Sequence, residues 1–440
     1  MTMIELGDVT RDRPPRAAED RIRPRLDRFR LRQIALALAA IGVLACGAAA
    51  PADEPGVRRL WSGDYGPESM FAVAGTTLYV LNTGELTAYD LAGGSVRWTW
   101  RTAENLMGFR PTQDGGPVLV AVGSSDPGEE PEPYRTTVAL RPDTGAEIWQ
   151  RPGVVRLDTA ESVLLVGHST DGTDRLTRVR LTDGEPIWTH PAPGLQEVAF
   201  DRDAGPVGRL AFSTSSGDVT VLRYSDAAQV ASRRFEGIAP DEAGIVYVSL
   251  SVDGGRLLLF HNEIALAYTT VHDMATLREV FRSAADDNPV SGCQAVLCRF
   301  TGDVFTAVDP ATGRDLWQES PVIGLSMVSD DRLLLDLGDS RERVLVDSRT
   351  GRELASRLSG IAVFDPVRQG SVLLLRPSIS PLGRTTVARV NLTTGAQNVL
   401  GALTVVPDPQ SCQTVPGYLI CPGADRFVVT AVPSTPAVPS

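Results

Sequence analysis

Hydrophobic and polar side chains alternate along this chain in short runs with a period of two. Leu86 and Ala88 flank Thr87, and Phe305 and Ala307 flank Thr306. Alternation of this kind predicts half-buried β-strands. Each of these runs ends at an Asp and is followed by a Gly and a second strand, the chemistry of a hairpin. Two more strand-like runs precede the hairpins, at residues 70–73 and 77–81 in the first case and 323–328 and 332–337 in a later one. Long runs with a period of 3.6 are missing beyond residue 50. With 41 Gly and 31 Pro in the chain, a helical array is disfavoured.

The hairpins repeat. A Gly and a Trp stand four residues apart at Gly94/Trp98, Gly145/Trp149, Gly184/Trp188 and Gly313/Trp317. Degenerate copies follow the same spacing at Gly351/Ala355, Gly395/Val399 and Leu277/Phe281, and the weakest is Ala227/Ala231. Four residues before the Gly position lies Asp90, Asp273, Asp309, Asp347 or Asn391. The acidic or amide side chain accepts backbone amides ahead of it and starts a turn. Glycine closes the turn with positive φ. The indole suits a seam between neighbouring sheets, where it buries a large area and keeps one N–H for a partner. Counted from Trp61, the Trp positions recur at intervals of 37, 51, 39, 43, 50, 36, 38 and 44 residues. Four strands per interval, repeated radially, predict an all-β propeller. Eight blades are expected, with seven and nine as alternatives and the Ala227/Ala231 unit or an end fragment as the miscount. A ring also has to close. Residues 58–61 read as a lone fourth strand and residues 412–432 as three strands without one, so the two ends are expected to share a blade.

The phrase Ala-hydrophobic-Asp-x-x-Thr-Gly-x-x-x-Trp, clearest at residues 307–317, resembles the pyrroloquinoline quinone (PQQ)-type propeller repeat. The resemblance covers residues 58–432. That family implies the propeller fold and contains both quinoprotein dehydrogenases and non-enzymatic propellers, among them a scaffold lipoprotein of outer-membrane assembly. The dehydrogenases carry adjacent cysteines over the cofactor, and this chain has no Cys-Cys pair. It therefore resembles the scaffold type, and no cofactor is expected.

Four cysteines form two local pairs, Cys293/Cys298 and Cys412/Cys421, in matching contexts. In each, one Cys precedes Gln and the other ends a short apolar run. This places both on neighbouring antiparallel strands and predicts two disulfides, with free thiols as the alternative. Disulfides imply an oxidising compartment. The N-terminus agrees. Residues 1–33 hold nine Arg, and residues 34–50 carry no charge. We read residues 1–33 as a cytoplasmic segment, 34–50 as a transmembrane signal anchor, 51–57 as a linker, 58–432 as the exported propeller and 433–440 as a tail. A cleaved signal and a lipoprotein signal at Cys46 are the alternatives.

Charge and chemistry narrow the picture further. All 42 basic residues are Arg, which reflects coding bias. Beyond residue 50 the chain carries 33 Arg against 48 acidic residues, about −15, which excludes a nucleic-acid surface. A monomer is expected. His168, His190, His261 and His272 lack metal spacing, and no nucleophile elbow, P-loop or zinc motif is present. The acidic residues 127–133 read as a solvated loop tip. No catalytic, cofactor or metal residue is assigned. The expectation is a membrane-anchored, non-catalytic binding propeller of the bacterial envelope with a protein or glycan partner. A PQQ-dependent dehydrogenase or other channel enzyme is the alternative.

Overall fold

The computed structural model describes residues 56–112, 115–123, 135–168, 173–201, 207–235, 247–262, 267–283, 289–338, 342–364, 370–379 and 382–433. The expectations for residues 1–55, for Cys46, for the acidic loop at 127–133 and for residues 434–440 lie outside them.

The described residues form nine four-stranded antiparallel sheets. Blade 1 runs through Met70–Ala74, Thr77–Asn82, Glu85–Asp90 and Val96–Arg101. Blades 2 to 8 follow in chain order over residues 105–152, 154–191, 195–234, 247–282, 291–319, 322–359 and 361–404. Blade 9 is composite. Gln413–Val415, Tyr418–Pro422 and Arg426–Ala431 supply three strands, and Arg58–Asp64 pairs with the last of them as the fourth. The two ends of the ring thus share a blade, as expected from the sequence.

The expected eight blades are corrected to nine. The discounted unit around Ala227 is a full blade, with Asp218–Arg223 paired to Gln229–Arg234, and the composite end is a further one. Ala227 stands where the repeat has Gly and adopts φ +57°, so the turn survives without its usual residue. Leu277 does the same at φ +53°. An L-residue in this region costs on the order of 1 kcal/mol, which tertiary packing here absorbs.

Nine hydrophobic clusters hold the blades together, one at each seam. Trp98 and Leu86 of blade 1 pack with Val120 and Val138 of blade 2, and the series continues round to blade 9, whose Phe427 and Ile420 pack with Leu78 and Phe71 of blade 1. Strands of alternating residues present one apolar row to each neighbour, which is why every blade is buried on both faces. Each of these core clusters and both disulfides lie within the compact unit 55–440.

First strands of neighbouring blades approach one another and line the hub. Because strands alternate in direction, links between strands one and two and between three and four fall on one side of the ring. Links between strands two and three, and from each blade to the next, fall on the other. We call these the turn side and the loop side.

Candidate functional site: a groove on the loop side of blades 7 and 8

The repeat residues all serve the turn side. At every hairpin the amide four residues beyond the turn's first residue donates back to its carbonyl, from Gly94 to Asp90 and likewise from Gly145, Gly184, Ala227, Leu277, Gly313, Gly351 and Gly395. The side chains expected to start the turns do so. Asp90 accepts the Gly93 amide, Asp309 the Ala311 amide, Asp347 the amides of Arg349 and Thr350, and Asn391 those of Thr393 and Thr394. The Arg97 guanidinium beside Asp90 holds that carboxyl below its ordinary value.

The indoles act between blades. Trp61, Trp98, Trp149, Trp188 and Trp317 each donate Nε1–H to a carbonyl of the next blade's turn, at Leu91, Pro142, Leu181, Tyr224 and Ser348, over 2.8–2.9 Å. Each acceptor directly follows the turn's first residue. The rings of Trp61, Trp98, Trp149 and Trp317 then lie on the Gly of that turn, whereas Trp188 shares its cluster with Ala227. A Cβ on Gly94 would sit 2.5 Å from Trp61, and one on Gly184 2.6 Å from Trp149. The glycine thus meets two demands, positive φ and room for the preceding blade's indole. Where blade 4 carries Ala231 instead of Trp, the space is taken by Leu277 of blade 5, which is fully buried with Ala231 packed against it.

The cysteines pair as expected, Cys293 with Cys298 and Cys412 with Cys421. The first disulfide lies in the seam between blades 6 and 7, and the second in the seam between blades 8 and 9. The two bracket blades 7 and 8, whose fourth strands carry Ala355 and Val399 at the Trp position. A Cβ on Gly395 of blade 8 would fall 2.5 Å from that of Ala355, so without an indole the blades close directly on each other at the turn side.

A cavity of about 940 Å³ opens on the loop side of this same pair. Ile323 starts the first strand of blade 7, Leu337 ends its second and Arg343 lies near the start of its third. From blade 8 come Ile361, Arg376 and Ile379. Ile323 is 69% exposed, and on the loop after the second strand of blade 8 Ile379 is 91% and Leu382 84% exposed. The sequence offered no signal for this site. The convergence of its residues depends on the ring.

Three of the histidines pack against hydroxyl or aromatic groups within the blades. His261 and His272 are buried in blade 5 and share the Thr270 hydroxyl, at 3.1 and 2.9 Å from their Nε2 atoms. Burial, with Arg282 and His272 nearby, pushes His261 down to about 4, and burial also lowers His272. His190 stacks edge-on against Phe212, and burial lowers its pKa too. Among the described residues no group of His, Cys, Asp and Glu is placed to hold a metal ion, and no helix is long and apolar enough to cross a membrane.

No family model matches the chain, and no curated protein matches its sequence. Solved structures with a similar fold include BamB from Moraxella catarrhalis, 15% identical, with 72% of this chain and 96% of that one covered and a TM-score of 0.44. The computationally designed Ika8 protein matches at 13% identity, 78% and 99% coverage and a TM-score of 0.42. A europium-containing methanol dehydrogenase matches at 12% identity, 85% and 93% coverage and a TM-score of 0.41. At these values the likeness says nothing about what this chain does.

Proposed function

We propose that this chain is a non-catalytic binding propeller, anchored to the membrane by residues 34–50 and exported into the cell envelope, that docks a protein partner in the groove of blades 7 and 8. The observation that carries the reading is the groove itself. A cavity of about 940 Å³ continues onto a loop that exposes Ile379 and Leu382 almost fully. Large apolar side chains left exposed beside a cavity mark interaction sites. Its place on variable loops over a rigid scaffold is where binding function concentrates.

The test is a double variant, Ile379→Asp with Leu382→Asp. Chemical cross-linking in intact cells followed by mass spectrometry should find a protein joined to the wild-type chain and lose it in the variant, while the melting temperature stays put. A cross-linked set unchanged by the variant would place the binding surface elsewhere.

A further inference from the structure

The groove is lined by two arginines in different states and by two carboxylates, Asp336 and Glu342. Arg343 is saturated: it is ion-paired to Asp336 and donates to the carbonyl of Gly360. Arg376, at the end of the second strand of blade 8, is half-buried and donates to Ser359 Oγ over 3.2 Å. No carboxylate among the described residues pairs with it. A guanidinium presents five N–H donors in a planar fork that matches a carboxylate in two-point contact. Partial removal from water by the surrounding isoleucines and Pro377 strengthens such a pair.

We infer that the groove takes an extended polypeptide segment in which one acidic side chain, flanked by apolar residues, pairs with Arg376. This rests on the protein-binding reading above and names the partner's chemistry. A second exposed apolar side chain, Leu382, stands outside the cavity lining, three residues after Ile379 on the same loop. A small carboxylate such as a fatty acid would fill the cavity and leave that loop bare, whereas a polypeptide covers both. The chain beyond residue 50 carries about −15, so a strongly acidic partner would be repelled at long range. Recognition of the acid is therefore local, a single carboxylate in an otherwise apolar segment.

The experiment selects a random peptide library displayed on phage against the full chain in detergent, with Arg376→Gln and Arg376→Lys in parallel and palmitate as a small-molecule probe. Wild-type protein should enrich peptides with Asp or Glu between apolar residues. Synthetic versions should bind Arg376→Gln about tenfold or more weakly, with Arg376→Lys between the two because it keeps the charge and loses the fork. Palmitate should not displace them. Thermal melts of the three proteins confirm that the fold is kept. The inference falls if selected peptides show no acidic preference, if Arg376→Gln binds them equally, or if no peptide is selected and palmitate binds saturably. Should the cellular cross-links persist in Arg376→Gln, the scaffold reading stands and only the carboxylate pairing is lost.

Discussion

Two arcs of the ring solve the same packing problem differently. From blade 9 through blade 4, the indoles of Trp61, Trp98, Trp149 and Trp188 each cross a seam to a carbonyl on the next turn. Blades 7 and 8 carry Ala355 and Val399 at that position and are flanked by the two disulfides. In the first arc the seam is filled by a large side chain. In the second, small residues let the blades meet at the turn side, and the cavity opens at the loop side of the same pair. The Trp of the repeat is kept through the first arc, whereas blades 7 and 8 keep Gly351 and Gly395 but lose the indole, and blades 4 and 5 lose both.

The largest effect should come from breaking the indole arc. Trp149 is 8% exposed and bonded to Leu181, so Trp149→Ala should cost about 3–5 kcal/mol in urea unfolding. Val399, 55% exposed, should cost under about 0.5 kcal/mol on truncation to Ala. Equal costs would erase the distinction between the arcs. Next comes Ala355→Trp, which writes the repeat back into the groove arc. Because Gly395 and Ala355 already touch, the indole should overpack the seam and destabilise by about 1–3 kcal/mol. A gain in stability would show instead that the seam was merely under-filled.

How far this contrast was legible in the sequence depends on the side of the ring. The turn side imposes a backbone conformation, a side-chain acceptor and a steric vacancy, and these select Asp, Gly and Trp at fixed spacing. The strands and the shared closing blade follow from that pattern, and the disulfides from the two matching cysteine contexts. The blade count was blurred because Ala227 and Leu277 hold positive φ without glycine, and because Ala231 and Leu277 exchange sizes across their seam. The groove was invisible because Ile323, Arg376 and Ile379 are ordinary residues at strand ends and on a loop, far apart in the chain. Only ring closure brings them together.

Smaller effects sharpen the comparison. Replacing Cys412 and Cys421 by Ser removes the staple between two strands beside blade 8, at about 2–3 kcal/mol on the chain-entropy model. Stability should also depend on pH through blade 5. His261 and His272 titrate below the ordinary 6.5, so the folded ring binds fewer protons than the unfolded chain as acid is added. Their contribution is complete above about 6.5 and is lost as pH falls toward about 4. Melting temperatures across that window should drop, and less so in His261→Asn. The smallest stability effect belongs to the groove. Leu382→Asp should stay within about 0.5 kcal/mol of wild type, since its side chain is already in water.

The central claim is that the loop side of blades 7 and 8 is where a partner binds. A photo-cross-linking residue placed at Leu382, and separately at Thr144 in the exposed turn of blade 2, tests it directly in intact cells. Discrete protein adducts from Leu382 and none from Thr144 are predicted. Adducts of equal yield from both positions, or from Thr144 alone, would contradict it.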